Sequence, residues 1–379
     1  MKNYLLILFF PIIVFSCAKD PENSIQKDIK NVGKVIFLKD SMFDVKIEKS
    51  YLRPDNGVVT DNFAYSDILN IKDSTLMLVT MVSPKNIEDF AAGSVVKYSS
   101  ANFGKSWKKE GDISADFPGA INLSMPSLIS VDSNHLLLVY LVKYSTQRID
   151  LVMEESFDTG RTWSAPKVIY GENQGYQIIN NARLVKVGKT VYLPVCVANG
   201  GKLASFHYFT NDNGKTWQKS NLIRLDDKDL IEPGITAVGP NELLMNIRTN
   251  LGAILFARSY DLGKNWQFEE SNFISPSSPQ TIRQIPGTNK LVMVWNNNNV
   301  NYATHGLNRS PFSLAISSDK GRNWKRICEI ESFNNFAKDH TYAAISFDKQ
   351  FAYISYNERN NVSYNFSIKI AKINLNYLK

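Results

Sequence analysis

One eight-residue pattern constrains this chain more than any other feature. Ser259-Tyr260-Asp261-Leu262-Gly263-Lys264-Asn265-Trp266 reads Ser-x-Asp-x-Gly-x-x-Trp, and Ser156 to Trp163 and Ser317 to Trp324 repeat it. Thr210 to Trp217 has Thr for Ser, and Ser100 to Trp107 has Asn102 for the Asp. Five copies at steps of about 50 to 60 residues mean one structural unit used repeatedly. Each copy follows an alternating apolar run such as Ala253 to Arg258, the period of a half-buried strand. Asp and Gly two positions apart suit a tight hairpin, because the carboxylate accepts backbone N–H groups and Gly takes the positive φ. The Trp then packs the hairpin down.

A second repeat runs between these boxes. Ala64 to Leu69 precedes Thr75 to Val79, and Ser124 to Ile129 precedes His135 to Val139. Asn180 to Val185 precedes Thr190 to Leu193, and Ile231 to Thr236 precedes Glu242 to Met245. Ser278 to Arg283 precedes Leu291 to Val294, and Thr341 to Ser346 precedes Phe351 to Ile354. These read as six strand pairs, the last without a box. The early run Lys34 to Lys49 is expected to return to the last unit and close a ring. The second residues of the pairs align as Tyr65, Met125, Asn181, Glu232, Pro279 and Tyr342.

The 379 residues, 44% hydrophobic and 12% aromatic, suffice for one large core, and composition marks no internal boundary. Residues 1–17 read as an export signal: Lys2, an apolar run from Tyr4 to Phe15 too short to span a bilayer, then Ser16-Cys17. Val14-Phe15-Ser16-Cys17 looks like a bacterial lipobox, with Cys17 the lipidated residue and 18–32 a polar tether to the folded part, 33–379. The expected location is a bacterial membrane surface, reached through the lipid anchor. Cys196 and Cys328 lie in apolar runs and read as buried free thiols. The formal charge of +7 is spread without a basic block, and no phosphate loop, metal motif or nucleic-acid motif appears. No cofactor, metal or nucleic acid is expected, and the chain is read as a monomer.

The boxes resemble the Asp-boxes of the sialidase superfamily, which implies an all-β fold, a six-bladed β-propeller with Asp-box hairpins. Three further segments carry the resemblance. Glu232-Pro233-Gly234 followed by Leu243 to Arg248 is similar to the segment holding the glutamate partner of the nucleophile and the second arginine. Asn308-Arg309-Ser310-Pro311 is similar to the third-arginine segment, and Thr341 to Ile345 to the tyrosine segment. The resemblance implies Tyr342 as nucleophile, Glu232 as its base, and Arg248 and Arg309 as carboxylate ligands. The acid would come from the loop Lys85 to Gly93, as Asp89, with Glu88 its rival. The implied activity is exo-glycoside hydrolysis of sialic acid or a related sugar, with a glycan as partner. Chemistry supports the residue types: a neutral tyrosine is not repelled by an anomeric carboxylate, a glutamate takes its proton, and guanidinium groups bind carboxylates bidentately. The chain departs from the pattern where sialidases open the first unit with Arg-Ile-Pro; it has Tyr65-Ser66-Asp67. Arg183 is the candidate substitute, and Tyr65 and Asp67 are candidate ligands of a different design. The alternative function is a glycan-binding propeller without turnover. His340 beside Tyr342, Trp295 as a stacking platform and Asn296 to Asn299 as a rim loop complete the candidates.

Overall fold

The structure is a computed structural model of the chain and describes residues 31–38, 40–52, 61–84, 87, 90–113, 116–170, 176–298 and 308–379. Cys17 and the signal and tether up to residue 30 lie outside the described residues.

The described chain is all β. Two N-terminal strands, β1 (Asn31–Phe37) and β2 (Ile47–Leu52), precede six repeated units. The first unit is β3 (Asn62–Lys72), β4 (Thr75–Ser83), β5 (Ser94–Ser100) and β6 (Lys108–Asp112). The second is β7 (Asn122–Ser130), β8 (Leu136–Lys143), β9 (Ile149–Ser156) and β10 (Lys167–Tyr170). The third is β11 (Gln177–Ile178), β12 (Val185–Val187), β13 (Thr190–Asn199), β14 (Lys202–Thr210) and β15 (Gln218–Lys219). The fourth is β16 (Ile231–Ala237), β17 (Leu243–Arg248), β18 (Leu255–Ser259) and β19 (Gln267–Ser271). The fifth is β20 (Thr281–Gln284), β21 (Leu291–Asn296), β22 (Phe312–Ser317) and β23 (Asn323–Glu331). The sixth is β24 (Lys338–Phe347), β25 (Phe351–Asn360) and β26 (Phe366–Asn374).

Within each unit the strands pair antiparallel, and the arrangement is propeller-like. Units one, two, three and six form separate sheets. The fourth and fifth do not, against the expectation of separate blades. β1 pairs parallel with β19 and then with β23, so both units share one nine-stranded sheet. The closing strand also differs from expectation: β2, not the whole run from Lys34, completes the sixth unit by pairing antiparallel with β26. Between them the chain follows the fifth unit, with Leu38 N donating to Trp324 O (2.8 Å) and Ser41 N to Arg326 O (3.0 Å). The N-terminal segment is thus a belt along three successive units, and it covers edges that would otherwise expose unpaired backbone groups. Two inner strands start later than the alternation suggests. In the third unit Asn180 to Leu184 lies outside any strand, and in the fifth the strand begins at Thr281, after Pro279, which has no N–H for a ladder.

The core sits at the seams between units. One cluster joins Val79 and Val95 of the first unit to Leu138 and Val152 of the second, and others join second to third, third to fourth, fourth to fifth and fifth to sixth. A further cluster joins Tyr353 and Ile368 of the sixth unit to Leu76 and Leu78 of the first. Each such Leu, Val or Ile contributes roughly 1.5–3 kcal/mol of burial.

The boxes bolt neighbouring units together. In the second unit, Ser156 Oγ donates to Asp158 Oδ1 (2.8 Å) and accepts from Gly160 N (2.7 Å), while Asp158 Oδ1 accepts from Thr162 N (2.9 Å). The other four boxes repeat this network, and Asn102 serves as well as an Asp because its Oδ1 accepts from Ser106 N (3.0 Å). Gly160 has φ +82 and no room for a side chain, since a Cβ there would stand 2.2 Å from Met77 Cε of the preceding unit. Trp266 and Trp324 are fully buried and donate to Gly263 O (3.1 Å) and Gly321 O (2.9 Å).

Candidate active site at the inner strand starts

The inner strands share a local distortion. Ladders slip between Ala64 and Asp67, Ser124 and Ser127, Ile231 and Gly234, and Thr341 and Ala344. Inside each slip one residue has left-handed backbone: Tyr65 (φ 54), Met125 (φ 56), Glu232 (φ 45) and Tyr342 (φ 57). For residues with a Cβ this conformation costs about 1–2 kcal/mol, and bulges of this kind re-aim side chains near functional sites. The aligned positions are therefore the bulged ones in four units. In the third, Ala182 (φ 54) carries the left-handed backbone instead of Asn181.

Glu232, Arg248, Arg309 and Tyr342 are brought together. The Tyr342 hydroxyl is 3.5 Å from Glu232 Oε1. Arg248, at the end of β17, donates from Nη1 to Glu232 Oε2 at 2.7 Å. Both groups are buried, so the pair is shielded from water, and losing one partner would strand the other. Burial alone would push the Arg248 guanidinium down, but Glu232 and Tyr342 outweigh it and hold it above its ordinary value. Arg309 lies over the Tyr342 ring, its guanidinium carbon 5.5 Å from the centroid. Its backbone is set by Asp339, whose Oδ1 accepts from Arg309 N (3.0 Å). Tyr65 stands edge-on to Tyr342 with centroids 4.8 Å apart.

Ser277 was missed in the sequence and ties the two arginines together. Its Oγ accepts from Arg248 Nε (3.1 Å) and its carbonyl from Arg309 Nη2 (3.2 Å). The one signal was its place in Ser275-Pro276-Ser277-Ser278-Pro279, just before the fifth inner strand. Asn181 precedes the left-handed residue of its unit instead of being it, and its task was not legible: its Nδ2 donates to Ser66 O (2.6 Å) and Tyr342 O (3.1 Å), clamping the first and sixth strand starts.

Two candidates have structural partners. Arg183 is engaged between units. It is 1% exposed, and its guanidinium spans to the fifth unit, donating to Thr281 Oγ1 and Gln280 O, each at 3.1 Å. Burial, with Arg283 nearby, pulls it down to about 10. Asp67 is likewise a strut: buried, it accepts from Ile68 N (2.8 Å) and Leu128 N (2.7 Å) of the second unit. Burial pushes its carboxyl up to about 7 against those bonds.

Asp89 and Glu88 lie outside the described residues. Three minor candidates are reassigned. His340 is a buried residue of β24, its Nε2 3.1 Å from Glu358 Oε2. Trp295 is wholly buried against Phe273 and has no sugar-facing surface. Asn296 and Asn298 are buried stitches rather than rim loop, Asn298 Nδ2 donating to Ser310 O (2.8 Å); Asn299 lies outside the described residues. Cys196 and Cys328 are buried free thiols, each pushed up to about 12 by burial. Among the described residues no group of His, Cys, Asp and Glu is arranged to hold a metal.

Solved structures similar to this chain include sialidases and a protein of unknown function. Trypanosoma rangeli sialidase, in complex with 2,3-difluorosialic acid as a covalent intermediate, aligns with TM-score 0.69 at 14% identity. The alignment covers 85% of this chain and 58% of that one, so this chain spans little more than half the length of that enzyme. The NanB sialidase of Streptococcus pneumoniae aligns with TM-score 0.68 at 10% identity, over 86% of this chain and 70% of that one. A Dyadobacter fermentans protein of unknown function aligns with TM-score 0.69 at 16% identity, over 86% of this chain and 99% of that one. No curated protein sequence matches. At these identities the likeness establishes a sialidase-like fold. Residues 95–369 match the sequence model of the BNR repeat-like domain, and since that match spans most of the chain, the protein belongs to the BNR repeat-like domain family.

Proposed function

We propose that the protein is a surface-anchored exo-glycoside hydrolase of the sialidase superfamily, removing terminal sialic acid or a related sugar from glycans. The observation that carries the reading is the Tyr342–Glu232–Arg248 constellation, drawn from three strands of two units. The fold is read as a six-bladed propeller in which β16–β19 and β20–β23 are separate blades joined by β1; six core seams, the last returning from sixth unit to first, support that count. A lipid on Cys17 would hold the monomeric propeller at a bacterial membrane.

In this reading the Tyr342 oxygen attacks the anomeric carbon while Glu232 takes the phenolic proton. The bond to the leaving oxygen breaks, and an acid, assigned to Asp89, protonates that oxygen. Water then attacks the same carbon, giving its proton to the Asp89 carboxylate, while the bond to the Tyr342 oxygen breaks and Glu232 returns the phenolic proton to that oxygen, freeing the sugar. Arg248 serves twice: it holds the Glu232 carboxylate in place, and with Arg309 it offers positive charge to a substrate carboxylate.

A second reading, a glycan-binding propeller without turnover, is favoured by one observation: Tyr65 stands at the first-unit position where the resemblance implies an arginine, and it packs against Tyr342. The test is release of a fluorophore from its α-sialoside by the full chain and by Tyr342→Phe. Turnover abolished by the substitution supports the hydrolase. Turnover that survives it overturns the assigned nucleophile. Glycan-array binding without turnover supports the second reading.

A further inference from the structure

The bulge that carries Tyr342 is held by side chains of other units. Asn296 Nδ2 donates to His340 O (3.0 Å), Asn181 Nδ2 to Tyr342 O (3.1 Å) and Thr281 Oγ1 to Ala343 O (2.7 Å). The last of these bonds has a further donor behind it. Arg183 Nη1 donates to the same Thr281 Oγ1 (3.1 Å), so the hydroxyl proton is left to point at Ala343 O. Asn181 and Arg183 flank Ala182, whose left-handed backbone (φ 54) is fixed by Ala182 N donating to Pro126 O (3.1 Å). One short turn of the third unit therefore reaches both the Tyr342 and the Ala343 carbonyl, the first directly and the second through Thr281. Arg183 Nη2 also donates to Gln280 O (3.1 Å), on which Asn246 Nδ2 converges (3.0 Å) from β17, the strand of Arg248.

A brace of this kind needs no charge, and burying one is costly. Arg183 is wholly buried, both of its acceptors are neutral, and its Nε has no partner. Arg248, by contrast, has the Glu232 carboxylate at 2.7 Å. Burial and Arg283 work against the Arg183 charge, while Glu232, Asp67 and Tyr342 favour it. Arg283 donates to the Ile282 and Ala182 carbonyls, and Asp67 accepts from backbone N–H groups, so neither forms an ion pair with Arg183. A Coulomb interaction is mutual. A cation that is favoured by negative charge on Glu232 and Tyr342 favours negative charge there in return.

We propose that Arg183 is a positioning residue for Tyr342: through Thr281 it fixes the bulge that aims the phenol, and its buried charge favours the phenolate over the phenol. The proposal deepens the hydrolase reading and rests on it, since it takes Tyr342 and Glu232 as the reacting pair. Arg183 touches neither the sugar nor the reacting atoms. As the phenolic proton crosses to Glu232, the tyrosine oxygen gains negative charge, and Arg183 is a fixed cation already in place when that happens. Its bonds to Thr281 and Gln280 keep it from swinging round to pair with the Glu232 carboxylate itself, so its charge stays behind the pair.

The test is fluorine NMR of the full chain grown on meta-fluorotyrosine, with the Tyr342 signal identified by its loss in Tyr342→Phe. The phenol is titrated with pH in the parent, in Arg183→Met and in Arg183→Lys. Arg183→Met should move the Tyr342 midpoint up by about one unit, and Arg183→Lys should bring most of that back. Thr281→Val keeps the charge and removes the hydroxyl; it should shift or broaden the Tyr342 signal at neutral pH, and it serves if Arg183→Met melts early. An unchanged midpoint in an Arg183→Met chain with a native melt overturns the proposal. So does a midpoint that Arg183→Lys leaves at the Arg183→Met value, or a Tyr342 signal indifferent to Thr281→Val. In α-sialoside turnover, Arg183→Met should lower kcat about tenfold with KM nearly unchanged; a loss confined to KM also overturns it. A parent without turnover sinks the hydrolase reading, while the titration still decides whether Arg183 acts on Tyr342.

Discussion

The Tyr342 hydroxyl stands 3.5 Å from Glu232 Oε1 although 110 positions separate the two residues. Each is the left-handed residue of a bulge in its own inner strand. A repeat that bulges at the same place in several units aims equivalent side chains at one region, which is how a phenol and a carboxylate from the sixth and fourth units meet. The fold holds this strain because the neighbours over-determine it: Asn181 clamps the Tyr342 carbonyl, and Arg248 holds the Glu232 carboxylate.

Glu232→Gln separates the chemical part of this pair from its structural part. The amide keeps an oxygen for Arg248 but cannot take the Tyr342 proton. In the proposed hydrolase, turnover should fall by a factor on the order of 10²–10⁴, with a melt close to the parent's. Glu232→Ala should in addition destabilise by about 3–5 kcal/mol, because Arg248 is left buried and unpaired. Steady-state assays beside urea unfolding decide this; a Glu232→Gln enzyme at parental rate removes Glu232 from the chemistry.

The box glycines should differ sharply from loop glycines. Gly160→Ala puts a Cβ 2.2 Å from Met77 Cε at φ +82. Left-handed strain of about 1–2 kcal/mol adds to overpacking of about 1–3 kcal/mol. Gly119, at φ +81, has nothing within 4 Å of the added Cβ, so Gly119→Ala carries the strain alone. Equal losses in urea unfolding would mean that the boxes do not bolt the units together.

His207 makes the fold acid-sensitive. It is 1% exposed beneath Gly263, and burial pulls it down to about 3. An unfolded histidine takes its proton near pH 6.5. Between those values the unfolded state binds more protons, so stability is full above about pH 6.5 and is lost as pH falls toward 3. At pH 5 the loss is about 2 kcal/mol, at about 1.4 kcal/mol per unit. Asp67, raised to about 7, acts with the opposite sign: the folded state holds the extra proton, and stability is lost as pH rises from about 4 to 7. His207→Phe keeps an aromatic beside Trp266 and Tyr192 and should remove the acid-side loss between pH 8 and 5. Asp67→Asn should flatten the rise-side loss. An unfolding free energy whose pH dependence His207→Phe leaves unchanged refutes the first assignment.

What could be read in the chain depended on how local each cause was. The box network spans eight residues, so Ser259, Asp261 and Gly263 announce their turn without help from the rest of the molecule. Glu232 and Tyr342 were legible because they occupy equivalent positions in a repeat. The destination of β1 was not, because nothing in Lys34 to Lys49 distinguishes pairing with β26 from pairing with β19 and β23; only the geometry of the sheet edges decides. Arg183 misled for a related reason. An arginine at an inner strand start looks the same whether it faces a ligand or the Gln280 carbonyl, and the difference is set by a partner 97 residues away. Ser277 gave no chemical signal of its own, since its role consists in where two arginines happen to reach.

Tyr65 decides between the two readings of function. Its backbone N donates to Asn357 Oδ1 (3.0 Å), so its place in the bulge is fixed from the sixth unit, and its ring stands edge-on to Tyr342. Tyr65→Arg puts a guanidinium where the resemblance implies the first arginine. The backbone already holds a residue with a Cβ at φ 54, so the exchange adds no new strain there. The half-buried position gives the longer side chain access to water. One added charge-assisted, bidentate contact to a substrate carboxylate is expected to lower KM for an α-sialoside about tenfold, equivalent to about 1.4 kcal/mol. Glycosides without a carboxylate should show no such gain, which separates the contact from a general change in the pocket. A parent without turnover that gains it in Tyr65→Arg would be a propeller silenced at this one position. A gain shared by neutral glycosides, or a loss of binding in the arginine variant, would mean that Tyr65 itself contacts the sugar and that the site is built for a ligand without the carboxylate.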